Sequence, residues 1–104
     1  MPGVAVDQVF SALADATRRH LLEIIAEQGP LSASTLAVNL DISRQAIVKH
    51  LQLLEQAGLV SRARHGKQIR FAVEAHQLAA TGRWLQRMAQ RWEANAQERT
   101  SINS

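Results

Sequence analysis

Several side chains suited to contacting nucleic-acid bases fall on one face of the segment between residues 43 and 58. They are Gln45, Val48, Lys49 and Gln52, spaced at i, i+3, i+4 and i+7, with Ser43 and Arg44 at the start of the segment. A helix brings this spacing onto one face. Amides and cations hydrogen-bond to base edges, and a valine can contact the thymine methyl group, so this face could read a major groove. A solvated amphipathic helix explains the same pattern equally well.

A single helix would position these side chains. Ser43 is a strong N-cap residue, and Gly58 stands where a helix commonly ends in the left-handed conformation. The opposite face carries an apolar stripe of Ile47, Leu51 and Leu54. This stripe must pack on a core, so the polar face is expected to point outwards.

The segments before this helix predict three more helices. The first covers residues 6–13; the second runs from Ala16 to about Gln28, with Asp15 as its N-cap and Gly29-Pro30 as its end. Ser32 or Ser34 would cap the third. A short turn at residues 41–42 then leads to Ser43, which makes residues 33–57 a helix-turn-helix by spacing.

Residues 59–73 change to a two-residue period and predict a β-hairpin, which after such a helix would be a wing. A three-residue loop, His65-Gly66-Lys67, places Arg64 opposite Gln68 and Arg62 opposite Arg70. One face is then basic and the other apolar. A two-residue loop would pair Arg64 with Ile69 and mix the faces, which a half-buried sheet resists.

Positive charge is concentrated on this part of the chain. Residues 43–71 contain six basic residues and one acidic residue, a net charge of +5, whereas the whole chain has a net charge of +3. Double-stranded DNA is the polyanion that such a footprint fits. The wing cations expected to hold its backbone are Arg62, Arg64, Lys67 and Arg70.

The last helix is predicted over residues 76–97 and carries a broad apolar stripe. One small core cannot bury two tryptophans on this stripe, so a partner helix from a second copy is favoured over intramolecular packing. The dimerisation elements are then residues 6–13 and 76–97. Their expected interface residues are Val6, Phe10, Leu78, Trp84, Leu85, Met88 and Trp92.

Length and composition narrow the possible classes of protein. A chain of 104 residues forms one domain, residues 1–104, and the lack of cysteine excludes disulfides and thiolate metal sites. No signal peptide or apolar run of membrane length is recognisable, so a cytoplasmic, nucleoid-associated protein is expected. No nucleophile–base pair, phosphate loop or carboxylate pair is recognisable either, so the chain is not expected to be an enzyme.

Three segments together resemble the ArsR/SmtB family of bacterial winged-helix repressors. They are L-A-D-A-T-R-R at residues 13–19, S-R-Q-A-I-V-K-H-L-Q-L-L-E-Q-A-G-L-V at 43–60, and R-A-R-H-G-K-Q-I-R-F at 62–71. Ala16 departs from the proline common in relatives, and the wing lacks their paired aromatics. The resemblance implies a dimer built on the first and last helices that represses transcription at a pseudo-palindromic operator.

The resemblance also raises metal sensing. The family's thiolate pair falls here at Ser32 and Ser34, and its last-helix site retains only Glu74 and His76, with no histidine in residues 77–104. The chain therefore resembles the branch without the recognised metal sites, and neither a metal nor a cofactor is expected.

The combined prediction is an α+β, mostly helical fold: a dimeric winged helix-turn-helix with about five helices and a two-stranded wing. Its expected function is sequence-specific DNA binding in the regulation of transcription. Two alternatives stay open, a metal- or ligand-responsive sensor of the same fold and, less favoured, a winged helix that binds another protein.

Overall fold

Five helices and a three-stranded antiparallel sheet form the described part of the chain, which is the backbone of residues 3–103 and the side chains of residues 6–98 in a computed structural model. In chain order they are α1 (Gly3–Leu13), α2 (Ala16–Gln28), β1 (Leu31–Ser32), α3 (Ala33–Leu40), α4 (Arg44–Gln56), β2 (Val60–His65), β3 (Gln68–Val73) and α5 (Ala75–Asn103). The predicted winged helix-turn-helix is confirmed, with α3 and α4 as its two helices and β2 and β3 as its wing.

Side chains cap three of these helices at their N-termini. The Asp15 carboxylate accepts a hydrogen bond from the Arg18 backbone N–H at 3.0 Å. Ser32, rather than Ser34, caps α3 by accepting from the Thr35 N–H at 3.1 Å, and Ser43 caps α4 by accepting from the Ala46 N–H. Each cap satisfies one backbone donor that the helix itself leaves without a partner.

The core lies under α4, whose apolar stripe of Ile47, Leu51 and Leu54 is fully buried. Side chains from α1, α2, α3 and the base of the wing complete it, among them Val9, Leu21, Ile25, Leu36, Leu59 and Phe71. Burial of this stripe fixes the rotation of α4 about its axis. The polar face of the helix must therefore point away from the core.

The strand β1 has only two residues and was not predicted. It pairs with β3, placing Leu31 opposite Phe71 and Ser32 opposite Arg70, so the sheet order is β1-β3-β2. Two residues show no periodicity, which is why the sequence alone did not indicate a strand here. Its position joins the wing to the start of α3.

The predicted register of the wing is wrong. His65 pairs with Gln68 across a two-residue loop, Gly66-Lys67, which places Arg64 opposite Ile69 and Arg62 opposite Phe71. Gly66 has a φ of +63°, the left-handed conformation that tight hairpin loops require. The prediction assumed a buried face, but all of residues 62–70 are exposed, so mixing charged and apolar side chains costs little there.

Helix α5 begins one residue before its predicted start and extends to Asn103, beyond the predicted end at Gln97. Residues 98–103 contain no glycine or proline to stop it. Much of its apolar stripe is exposed: 49% of Leu85, 41% of Met88 and 69% of Trp92. No helix in the described residues is both long and apolar enough to cross a membrane.

Candidate DNA interface

The outer face of α4 presents the side chains that the sequence assigned to base reading. Gln45, Lys49 and Gln52 are exposed, and Val48 is half-buried between them and the core. Arg44 lies at the helix N-terminus, where its Nε donates to Ser34 Oγ at 3.2 Å. These residues border one shallow depression, open to a macromolecule but too flat to enclose a small substrate.

A cleft of about 360 Å³ separates α4 from the wing. Its walls carry Arg44 and Val48 from α4, Arg62, Lys67 and Ile69 from the wing, and Ser34 from the first turn of α3. The structure therefore brings the helix-turn-helix and the wing together around one basic surface. This surface is what a nucleic-acid backbone entering beside the recognition helix would meet.

The corrected register divides the wing cations between two faces. Arg62 and Arg64 lie on the same face because their cross-strand partners, Phe71 and Ile69, also share it, whereas Arg70 lies on the other. Arg64 Nε donates to the Gly66 carbonyl at 3.1 Å, and Lys67 occupies the exposed tip. The positive charge thus surrounds the end of the wing instead of lining one side of it.

Arg62 makes contacts that sequence reasoning missed. Its guanidinium donates three hydrogen bonds to the Glu55 carboxylate: Nε donates to Oε2 at 2.9 Å and to Oε1 at 3.2 Å, and Nη2 donates to Oε1 at 2.7 Å. This contact raises the pKa of Arg62. The guanidinium carbon also lies 5.4 Å from the centre of the Phe71 ring. Glu55 is the one acidic residue of residues 43–71, and its isolation among basic residues is the sequence feature that could have indicated an ion pair.

A second polar cluster lies behind the recognition helix. Arg18 donates to the carbonyls of Ala12 at 2.7 Å and Ser11 at 3.1 Å, and its Nη1 lies 3.4 Å from His50 Nδ1. The same histidine nitrogen is 3.9 Å from Asp15 Oδ2. Arg18 therefore joins the end of α1 to α4, and this role accounts for a cation in the first turn of α2, where the helix dipole disfavours it.

Two of the residues considered as metal ligands, Glu74 and Ser32, make other contacts. Glu74 accepts a hydrogen bond from Ser61 Oγ at 2.6 Å, and Ser32 caps α3. Across the described part of the chain, no three histidine, aspartate or glutamate side chains are grouped as a metal ion would need.

Helix α1 and helix α5 meet through an aromatic pair. The rings of Phe10 and Trp84 pack edge to face with their centres 5.9 Å apart. Val6 of α1 is buried, whereas Leu78, Leu85, Met88 and Trp92 of α5 are exposed. We call the exposed apolar side chains of these two helices, Phe10, Leu78, Leu85, Met88 and Trp92, the seam.

The exposed recognition helix, its basic wing and the seam define a winged helix-turn-helix DNA-binding protein. Residues 13–62 match a family model described as a helix-turn-helix domain. The transcriptional repressor SdpR of Bacillus subtilis is 31% identical over 77% of this chain and 88% of its own. The chain is therefore a DNA-binding transcriptional regulator.

Solved structures support the same assignment. An ArsR-like transcriptional regulator from Rhodococcus sp. RHA1 superposes with a TM-score of 0.87 at 36% identity, covering 95% of this chain and 92% of that one. The chain belongs to the ArsR family. A homodimeric winged helix-turn-helix DNA-binding domain from Mycobacterium bovis has a TM-score of 0.67 at 26% identity, covering 83% and 79%.

Proposed function

We propose that this protein is a repressor that binds a pseudo-palindromic operator as a homodimer. The observation that carries the proposal is the depression on the outer face of α4, whose lining side chains offer hydrogen-bonding and methyl groups but no acid, and which is flanked by a basic wing. The similarity to the repressor SdpR supports the direction of control. A regulator of this kind would act in the cytoplasm, on the nucleoid.

Base reading falls to Gln45, Val48 and Lys49 in this proposal. Glutamine pairs well with adenine, lysine with guanine, and valine with the methyl group of thymine. Ser43, Arg44 and Gln52 flank them and assist or anchor the helix. Arg64, Lys67 and Arg70 reach the backbone from the wing, where contacts fix the register without reading sequence.

The homodimer would close on the seam. An exposed tryptophan, leucine and methionine on one helix form the kind of apolar patch that marks a protein interface. The homodimeric domain from Mycobacterium bovis shows that a related fold assembles in pairs. Two recognition helices would then stand about 34–36 Å apart, one turn of DNA.

The test separates base reading from backbone binding by mutation. Gln45→Ala and Lys49→Ala should each weaken operator binding by about 1–3 kcal/mol and weaken binding to random DNA less. Arg64→Ala and Lys67→Ala should weaken binding to both DNAs alike. Each should reduce the slope of the salt dependence by about one unit per wing, or about two for the dimer, because each removes one cation per wing from the phosphate backbone. Fluorescence anisotropy at several salt concentrations measures the DNA affinity of all four variants. The two DNAs are a promoter fragment selected from genomic DNA and random DNA.

Gln28→Ala is the matched control because Gln28 is also an exposed helical glutamine, at the end of α2, but lines neither the depression on α4 nor the cleft beside the wing. This variant should bind like wild type. If the Gln45 and Lys49 variants also bind the operator like wild type, α4 is not the reading helix.

A further inference from the structure

The position of Glu55 is unfavourable on two electrostatic grounds. It is the one acidic residue of residues 43–71, on the side of the molecule that is proposed to approach DNA phosphates. It also lies in the last turn of α4, where the helix dipole disfavours a carboxylate. Some favourable interaction must offset both effects, and its contact with Arg62 is the interaction that the structure shows.

Arg62 connects Glu55 to the core. The two side chains are joined by a bidentate pair, and bidentate geometry restrains both planar groups more than a single contact would. The guanidinium also stacks on Phe71, which is only 4% exposed and pairs with Leu31 in β1. The C-terminal end of α4, the base of the wing and the core are therefore linked through one arginine.

The wing has few other restraints on its direction. Residues 62–70 are all exposed, so the buried side chains of the two wing strands are Val60 and Phe71, both at the base of the hairpin. A two-stranded hairpin has little stability of its own. The Glu55–Arg62 pair is a side-chain contact between α4 and the wing in the region where the hairpin leaves the core.

We propose that Glu55 is a positioning residue for DNA binding, which holds Arg62 as a strut between the recognition helix and the wing. The strut sets the angle at which Arg64 and Lys67 reach the backbone while α4 occupies the groove. Arg62 is then committed to Glu55 and is not itself a phosphate contact, which revises its expected role. The inference rests on the proposed DNA-binding function.

The test is whether one substitution, Glu55→Gln, strengthens or weakens operator binding. Glu55→Gln removes a negative charge near DNA, so electrostatics alone predicts tighter binding and a steeper salt dependence. The strut predicts the opposite: operator affinity falls about threefold per wing, or about tenfold for a dimer, as expected for loss of a well-formed surface ion pair. Arg62→Gln should have a similar effect. The double variant should bind no more weakly than the weaker single variant, because both changes remove the same interaction.

Glu27→Gln is the matched control. Glu27 is the penultimate residue of α2 as Glu55 is of α4, and both helices have 13 residues, but Glu27 is exposed and forms no ion pair with an arginine in the described part of the chain. This variant should bind DNA at least as well as wild type. Tighter binding by Glu55→Gln, or additive losses in the double variant, would overturn the strut.

Hydrogen exchange distinguishes failure of the strut from failure of the proposed function. Amides of residues 60–73 should exchange at least about threefold faster in both Glu55→Gln and Arg62→Gln, with the amides of α2 unchanged. Unchanged wing exchange would reject the strut even if the wild-type protein binds its operator. Faster wing exchange in both variants, with a wild-type protein that binds no DNA, would support the strut and reject the proposed function.

Discussion

The Asp15 carboxylate caps α2 and also lies 3.9 Å from His50 Nδ1. It accepts the capping hydrogen bond from the Arg18 N–H, and this bond is the main reason that its pKa is lowered from 3.8. A carboxyl group whose pKa falls on folding stabilises the folded state at pH values above its unfolded pKa. That contribution is lost as the pH falls through the lowered pKa of the folded state.

Asp15→Asn should therefore reduce the acid sensitivity of the fold. Asparagine still accepts the capping bond, but it does not titrate. The melting temperature of the variant should fall less than that of wild type between about pH 4 and pH 2. Circular dichroism melts across this range measure the difference. Asp7→Asn, at an exposed position in α1, controls for loss of a negative charge, and equal pH dependence in wild type and Asp15→Asn would contradict the prediction.

Single residues were predictable where their cause is local. Asp15 and Ser43 were identified as caps because an N-cap depends on the residues that follow it within one turn. Ser32 and Ser34 could not be separated, since either one can precede the same apolar pattern. The Glu55–Arg62 pair lay outside such rules, because the partner of an arginine is chosen by the fold of two elements and not by its sequence neighbours.

Two glycines, Gly82 in α5 and Gly66 in the wing loop, should respond differently to substitution by alanine. Gly82 lies inside α5, and a Cβ there would meet nothing within 4 Å. Gly66 has equally open space, but its φ of +63° is one that L-residues avoid. Because an added Cβ would meet no atom at either position, a comparison of the two measures the cost of the backbone conformation alone.

Gly82→Ala should stabilise the protein by about 0.5–1 kcal/mol, because alanine loses less conformational entropy in a helix. Gly66→Ala should destabilise it by about 1–2 kcal/mol through left-handed strain. Urea unfolding of both variants at one protein concentration provides the comparison, each serving as the other's control. Stabilisation by both would show that the wing loop adopts another conformation in solution.

The residue bounds of β3 and α4 were predicted from the sequence more accurately than the pairing of the strands. Strand β3 was placed correctly by its alternation, and α4 by its cap and stripe. The register failed because alternation specifies pairing only where one face is buried, and the wing is buried only at its base. Strand β1 was missed because its two residues are defined by pairing with β3 alone.

At the scale of the whole molecule, α5 dominates the shape. Its 29 residues help to extend the molecule to 66 Å by 26 Å by 22 Å, and its apolar stripe lies open along the seam. Homodimer formation on the seam predicts that Leu85→Glu or Trp92→Glu gives monomers in sedimentation and abolishes operator binding. Gln86→Glu, next to Leu85 but on the face with Ala79 and Arg83, should stay dimeric. A wild-type chain that sediments as a monomer at micromolar concentration would reject the dimer.

The regulator should not depend on metals for DNA binding. Arsenite and similar soft ions need thiolates, and the chain has no cysteine. Zinc prefers about four ligands, whereas Glu74 is already hydrogen-bonded to Ser61 and only His76 stands near it as a second candidate from the sequence. Operator affinity should therefore change less than about tenfold with excess zinc, nickel or arsenite, or with chelator, because such a site offers little differential affinity. A larger change that His76→Ala removes would establish the sensor instead.

In the proposed homodimer, the open seam would make the number of protein copies in a cell a controlling variable. In a homodimer closed on the seam, the apolar surface of Leu85 and Trp92 is shielded only when two chains meet. Where most chains are single, the concentration of DNA-competent pairs rises with the square of the chain concentration. Operator occupancy then responds steeply to synthesis and degradation, and a two-fold drop in copy number would act as a release signal without any ligand.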